Sequence, residues 1–286
     1  MTMNEFVVEG KGLKLSVAIR TRFPKMQYGT LQKLFRKGDV RLNGTKIFSD
    51  KFVNAGDIVR VFYEEERIRP KLLFEDKHVA VFYKPPKIAT VGENSFEEDV
   101  RLDYPSYIAC HRLDTNTDGL VVFGKDAESA EAVKAAFKSH LIEKHYLTFV
   151  FGEVTQKKRA VAYLKKDERL GVVRIYNEKT SGAAKIVTDY GPIAAYKDST
   201  CLDVSIVTGK THQIRAHLAH EGFPVIGDPK YGKNDVNRAF GKSYQMLTAY
   251  KLIFHTESGL LASLNGQEVT LDVRKMIADF EKSQKV

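Results

Sequence analysis

The sequence predicts an α+β protein, and three features carry that prediction. Stretches with strand character outnumber those with helical spacing, and the two do not alternate regularly, which argues against a doubly wound sheet. The positive charge is confined to a short N-terminal stretch whose pattern differs from the rest. The composition, 43% apolar and 28% charged over 286 residues, is that of a globular chain long enough for one large domain or two.

Two cysteines, Cys110 and Cys201, are too few for a disulfide framework and are not spaced as metal ligands, so a reducing cytoplasm is expected. No apolar run approaches the ~18 residues that cross a bilayer. The opening "MTMNEFVVEG" has two Glu and no basic region, so it is not read as a signal peptide. The formal charge is +9, and twelve basic residues against three acidic ones lie between Gly10 and Tyr63. The remaining chain is balanced. A polyanion-binding module attached to a neutral body is the expectation, with no membrane partner.

The basic stretch is read in order as follows. Residues 13–23 have helical spacing and stop at Pro24. Residues 30–38 place Leu31, Leu34 and Phe35 on one helix face and Lys33, Arg36 and Lys37 on the other, with Thr30 as N-cap and Gly38 as the stop. "VRLNGTKI" is a hairpin with Asn43-Gly44 in the turn and Arg41 on its first strand, and "GDIVRVFY" is a further strand. The basic second helix and the spacing of Gly38, Val40, Asn43, Gly44, Gly56 and Asp57 resemble the S4-like RNA-binding domain. That resemblance implies RNA contacts from Lys33, Arg36, Lys37 and Arg41.

"EEERIRPK" (64–71) is charged, breaks at Pro70 and is read as a linker. The body, 72–286, follows. Residues 78–84 form a strand, "PPK" turns, and the chain to Pro105 is poorly patterned. Leu120–Phe123 is a buried strand, 126–141 an Ala-rich helix and 144–154 a strand, with further strands to about 207. A strand at 248–255 and a helix at 270–283 complete the reading.

Three patterns in the body invite functional readings that fail on their own chemistry. Asp114, Asn116, Asp118 and Gly119 have the front half of an EF-hand loop. The twelfth position, which needs a bidentate Glu, is Lys125, and a strand follows in place of a helix. "GKT" at 209–211 lacks the Gly of a Walker A loop, since Val204 occupies that position. His212, His217 and His220 have no accompanying carboxylate at zinc-site spacing. No metal and no cofactor are expected.

Three separated segments make a sharper pattern: "HRLDTNTDGL" (111–120), "KHYL" (144–147) and "TGKTHQIRAHLAHEGFPVIGDPKYG" (208–232). Together they resemble the pseudouridine synthase family, in its RluA-type branch, over residues 72 to 255. The resemblance implies a mixed, mostly antiparallel sheet and the isomerisation of uridine in RNA. The N-glycosidic bond is broken, the uracil turns, and C5 is joined to the ribose. It implies Asp114 as the essential acid, acting at the ribose C1′ or the uracil C6, with Arg215 beside it holding the carboxylate ionised and oriented. Tyr146 corresponds to the tyrosine that stacks on the target base. Strand alternation puts His145, Leu147, Phe149 and Phe151 on one face and Tyr146 on the other, free to face a cleft. Arg112 and Lys210 are expected at the RNA.

The chain departs from the family pattern at Asp118, where Ser is common, at Lys210, where Arg is usual, and at Lys87, where Gly is typical. These departures bear on loop conformation and RNA choice. The expected substrate is 23S ribosomal RNA, with tRNA as the alternative, and the expected state is a monomer. A non-catalytic RNA-binding or ribosome-assembly protein is the competing reading. It gives no reason to keep a carboxylate, Asp114, where phosphate must approach.

Overall fold

The computed structural model describes residues 2–24, 26, 28–64 and 69–283. Half of the expected linker (64–71), residues 65–68, lies outside the described residues, and its last residue, Lys71, begins a strand. The chain forms two compact units, Met1–Ile68 and Arg69–Val286.

The first unit contains β1 (Met3–Val7), β2 (Leu13–Lys14), α1 (Leu15–Arg22), α2 (Tyr28–Lys37), β3 (Val40–Leu42), β4 (Thr45–Ile47), β5 (Phe52–Val53) and β6 (Ile58–Phe62). An antiparallel sheet runs in the order β1-β6-β3-β4, and β2 pairs with β5. Leu15 and Ile19 of α1 and Leu31, Leu34 and Phe35 of α2 bury against Val40, Ile47, Val59 and Val61 on one face of that sheet. The hairpin turn falls on Asn43 and Gly44, both at positive φ (48° and 83°), as a type I′ turn requires. Asn43 also explains the later "GD". Its Nδ2 donates to Asp57 Oδ1 at 2.9 Å, and its Oδ1 accepts the Ile58 N–H at 2.8 Å. Thr30 is not the N-cap of α2, because the helix begins at Tyr28 and Thr30 lies within its first turn. The buried triplet fixes which face of the helix is apolar and does not fix where the helix starts.

The second unit contains β7 (Lys71–Glu75), β8 (Val79–Lys84), α3 (Phe96–Arg101), β9 (Ile108–Ala109), β10 (Asp118–Gly124), α4 (Ala127–Lys138), β11 (Ile142–Phe151), β12 (Lys158–Asp167), β13 (Val172–Tyr176), β14 (Ala184–Ala195), β15 (Ser199–Ile206), α5 (Gln213–His220), α6 (Asn234–Ala239), β16 (Leu247–Phe254), β17 (Glu268–Thr270) and α7 (Arg274–Ser283). The sheet order is β13-β12-β14-β15-β11-β16-β10-β8-β7, with β9 added to β10 and β17 to β16. Every pairing is antiparallel except β10 with β16, so the expected mixed, mostly antiparallel sheet is present. The poorly patterned stretch before Pro105 holds α3, capped by the Ser95 hydroxyl, which accepts the Glu98 N–H.

The parallel junction is held close by glycine. Gly119 has φ 120°, and a Cβ there would sit 2.2 Å from the Ala249 carbonyl oxygen. Only glycine permits that approach. Across it Tyr146 of β11 pairs with Ala249, which pairs with Gly119. The strand that follows the "HRLD" loop is thereby set one strand away from Tyr146.

Candidate active site

The "HRLD" loop is fixed residue by residue before any substrate arrives. His111 Nε2 accepts the Val122 N–H at 3.0 Å. Leu113 is clamped by Thr90, whose hydroxyl donates to the Leu113 carbonyl and accepts its N–H, both at 2.9 Å. The fully buried Lys84 donates from Nζ to the carbonyls of Pro85 (2.9 Å), Ile88 (2.8 Å) and Thr115 (3.2 Å). Burial lowers its pKa to about 8, against the attraction of Asp118 and Asp114. The Thr117 N–H closes the turn on the Asp114 carbonyl. Lys87, where the family favours glycine, sits at φ 71°. A lysine there carries backbone strain that glycine would not.

The His111 ring packs on Phe137 with centroids 4.7 Å apart. Burial, and then the charge of Lys144, push its pKa down to about 3. The folded state therefore holds His111 neutral while the unfolded chain protonates it near 6.5. Stability from this group is complete above pH 6.5 and is lost as the pH falls toward 3, at about 1.4 kcal/mol per pH unit. Urea unfolding of wild type between pH 6.5 and 4 is expected to show a steeper loss than His111→Gln, whose amide oxygen can still accept the Val122 N–H. Equal slopes would refute the neutral buried histidine.

Arg215 projects from α5 and is buried. Its Nη1 donates to Asp114 Oδ2 at 2.8 Å, while Nε and Nη2 donate to the two oxygens of Asp228 at 2.6 and 2.9 Å. Asp228 has no exposed surface, and its Oδ1 also accepts the N–H groups of Lys230 and Tyr231 at 2.8 and 3.1 Å. The Tyr231 ring lies 5.4 Å from the guanidinium carbon. Burial works against the charge on Arg215, but the hydrogen bonds and charges of Asp228 and Asp114 more than offset it and raise its pKa. The pairing is therefore one cation between two carboxylates. Asp228 holds the fork, and the free end holds Asp114. Asp114 keeps 20% of its side chain exposed, and its Oδ1 has no hydrogen-bond partner among the described residues.

Asp114 borders a cleft of about 330 Å³ lined also by Tyr146, Lys144, Lys210, Arg112 and Arg215 among others. Tyr146 is buried in its wall, on the opposite strand face from Leu147 and Phe149, which pack against Phe280 of α7. Burial and then the Asp114 charge raise the pKa of its hydroxyl, so it stays a neutral phenol. Arg112 and Lys210 are exposed at the rim. Lys33, Arg36 and Lys37 are exposed on α2 of the other unit, whereas Arg41 points from the sheet face that the helices leave uncovered. The four cations are therefore not one patch.

Sequence reasoning passed over four residues that position the site. Asp228 and Gln213 were visible within "GDPKYG" and "THQIR" but had no role assigned. Gln213 is buried and fully engaged. Its Oε1 accepts from the Thr208 hydroxyl (2.8 Å) and the Lys210 N–H (3.1 Å), and its Nε2 donates to the Val187 carbonyl (3.0 Å) and Thr188 hydroxyl (3.2 Å). Lys84 and Thr90 gave no signal, because a clamp on backbone groups leaves no spacing rule. The candidate ligands of the rejected metal readings point apart. Asp118 accepts from the hydroxyls of Tyr83 (2.7 Å) and Thr248 (2.6 Å), and His212, His217 and His220 bond Tyr231, Thr188 and Asn177 respectively.

Asp114, Arg215 and the buried Asp228 thus form a two-carboxylate, one-arginine centre, with Asp114 and Arg215 at the wall of the cleft. The profile of the RNA pseudouridylate synthase family matches residues 78–220, and the chain belongs to that family, in its RluA-type branch. It is an isomerase that converts uridine in RNA to pseudouridine. An uncharacterised RNA pseudouridine synthase of Helicobacter pylori is 31% identical over 64% of this chain and 71% of its own. Ribosomal large subunit pseudouridine synthase C of Escherichia coli is 27% identical over 79% of this chain and 78% of its own. The structure of human RNA pseudouridylate synthase domain containing 4 shares the fold, with a TM-score of 0.61 at 18% identity over 75% of this chain and 93% of that one.

Proposed function

We propose that Asp114 is the group that attacks the target nucleotide, at the ribose C1′ or the uracil C6, and that large-subunit (23S) ribosomal RNA is the substrate. The observation that carries the first part is the Arg215–Asp114 pair, with one carboxylate oxygen anchored and the other without a partner among the described residues, at a cleft that Tyr146 also lines. An anchored carboxylate is ready to attack without reorganising. Tyr146 gives the flipped uracil an aromatic surface, and a phenol that stays neutral does not repel the nearby carboxylate. Arg112 and Lys210 contact phosphates at the rim, Lys210 as a point charge where an arginine would grip with two N–H groups. The name of the Escherichia coli relative, a ribosomal large subunit pseudouridine synthase, supports a ribosomal substrate. Comparing pseudouridines in ribosomal and transfer RNA from cells with and without the gene tests it. A missing modification in tRNA alone would refute the ribosomal assignment.

Joining C5 to the ribose expels the C5 hydrogen as a proton. RNA tritiated at uracil C5 is expected to release its label to water when the enzyme is added, with or without a chelator. Loss of release under chelation, restored by added metal, would overturn a mechanism that runs on Asp114 alone.

The first unit acts as the RNA anchor, the enzyme works as a monomer, and its two free, buried cysteines suit the cytoplasm. Among the described residues no helix is long and apolar enough to cross a membrane. A fragment beginning at Lys71 is expected to bind RNA more weakly than the full chain. The slope of its log affinity against log salt should be shallower by roughly 0.7 to 0.9 per lost phosphate contact. An unchanged slope would remove the unit from RNA binding.

A further inference from the structure

The small sheet of the first unit has one face packed under α1 and α2 and one face left open. Its open face is patterned by register. Glu5 pairs with Arg60, Arg60 with Arg41, and Arg41 with Lys46, so one row across four strands reads Glu5, Arg60, Arg41, Lys46. On one side of that row Met3 pairs with Phe62, and on the other Val7 pairs with Ile58. Met3 is 55% exposed, Val7 57% and Ile58 40%. Phe48, two residues after Lys46, is 61% exposed and rests over Gly38, where any added Cβ would meet its ring at 2.9 Å. This is a cationic stripe between apolar margins, with an aromatic ring at one corner.

A stripe of this kind is unfavourable in the protein by itself. Like charges directly opposite one another on neighbouring strands repel, and here three cations stand in sequence. Glu5 pairs with Arg60, which leaves Arg41 and Lys46 with no carboxylate among the described residues. Arg41 lies over the Phe62 ring at 5.0 Å, and its Nε–H is buried without a hydrogen-bond acceptor. An unmet donor, unbalanced cations, the exposed ring of Phe48 and the half-buried ring of Phe62 call for an anion with flat apolar groups attached.

We propose that this open sheet face binds unpaired nucleotides of the RNA substrate, with phosphates on Arg41, Lys46 and Arg60 and bases stacked on Phe48 and at the Phe62 margin. A duplex presents phosphates but keeps its bases stacked inward, and would leave the apolar margins unused. The three cations of the row span two strand spacings, about 10 Å, a match for a short extended strand lying across them. The surface is separate from the helix face carrying Lys33, Arg36 and Lys37, because the core of the unit lies between them. The proposal rests on the reading of the first unit as an RNA anchor and adds the kind of RNA it grips.

The test uses the full-length protein with two labelled probes, a ten-nucleotide oligouridylate and an RNA hairpin of equal phosphate number, followed by fluorescence anisotropy across a salt series. Phe48→Ala is expected to weaken oligouridylate binding by ~5- to 100-fold, the range of one base–aromatic stack, with little effect on the hairpin. Phe48→Tyr should restore it. Lys46→Gln should lower the salt slope for oligouridylate by roughly 0.7. Lys46 and Phe48 are both exposed, so an unchanged melting temperature is expected for these variants. Equal weakening of both probes, or no change in oligouridylate binding, overturns the proposal. Lys33→Gln with Lys37→Gln on α2 separates the two readings. If these weaken RNA binding while the sheet variants do not, the sheet face alone is excluded. If neither set does, the anchor role of the unit fails with it.

Discussion

Asp114→Asn is expected to reduce the chemical step by roughly a thousandfold or more while leaving RNA affinity within severalfold of wild type. The amide has the same shape and can still accept from Arg215 Nη1, so the loop held by Thr90, Lys84 and His111 should not move. It cannot attack carbon, nor stabilise positive charge developing at C1′. Binding rests on phosphate contacts and base stacking, and loses one repulsive anion. Single-turnover tritium release at saturating enzyme separates the two effects. Asp118→Asn is the control. Asp118 accepts from two hydroxyls and does not line the cleft, and an asparagine can accept from one hydroxyl and donate to the other. Its rate should stay within a few-fold of wild type. More than a few per cent of the wild-type rate in Asp114→Asn would take the attacking role away from this residue.

The sequence was most legible where one residue type answers one physical need. Asn43-Gly44 announced its turn, the Leu31, Leu34 and Phe35 spacing announced the face of α2, and three motifs carried the family. Asp114, Tyr146 and Arg215 are brought to one cleft from three separate parts of the chain. What stayed hidden depends on partners far apart in sequence. The edge strand β1 exists because β6 pairs with it, and β7 because β8 does. Thr90 and Lys84 act on backbone carbonyls and amides of a distant loop, contacts that any sequence around them would offer. That Arg41 faces away from Lys33, Arg36 and Lys37 was hidden for a related reason. All four lie within nine residues of chain, but the turn after Gly38 sends Arg41 to the other side of the unit's core. Proximity in sequence did not give proximity on the surface.

Asp228→Asn is expected to destabilise the second unit by about 3–5 kcal/mol, the cost of removing one partner from a buried ion pair. Asp228 is fully buried and takes two of the guanidinium's hydrogen bonds, so an amide NH₂ placed against Arg215 sets donor against donor at a fully buried position. Arg215 would be left with Asp114 as its one carboxylate, on the side open to the cleft. The melting temperature should drop by roughly ten degrees, since 1 kcal/mol moves a domain of this size by about 2–4 °C. Activity in the surviving folded fraction should fall at least a hundredfold, because a guanidinium no longer held at its Nε edge cannot keep Asp114 Oδ2 in place. Arg215→Met in the same chain discriminates between a structural and a chemical origin. Replacing the cation removes the unpaired buried charge, so Asp228→Asn with Arg215→Met should recover part of the lost stability, a non-additive result for two residues in contact. Activity should not return with it, since the double variant has nothing to orient Asp114. If Asp228→Asn melts with wild type, or if stability and rate recover together in the double variant, Asp228 is not the anchor through which the active-site arginine is held.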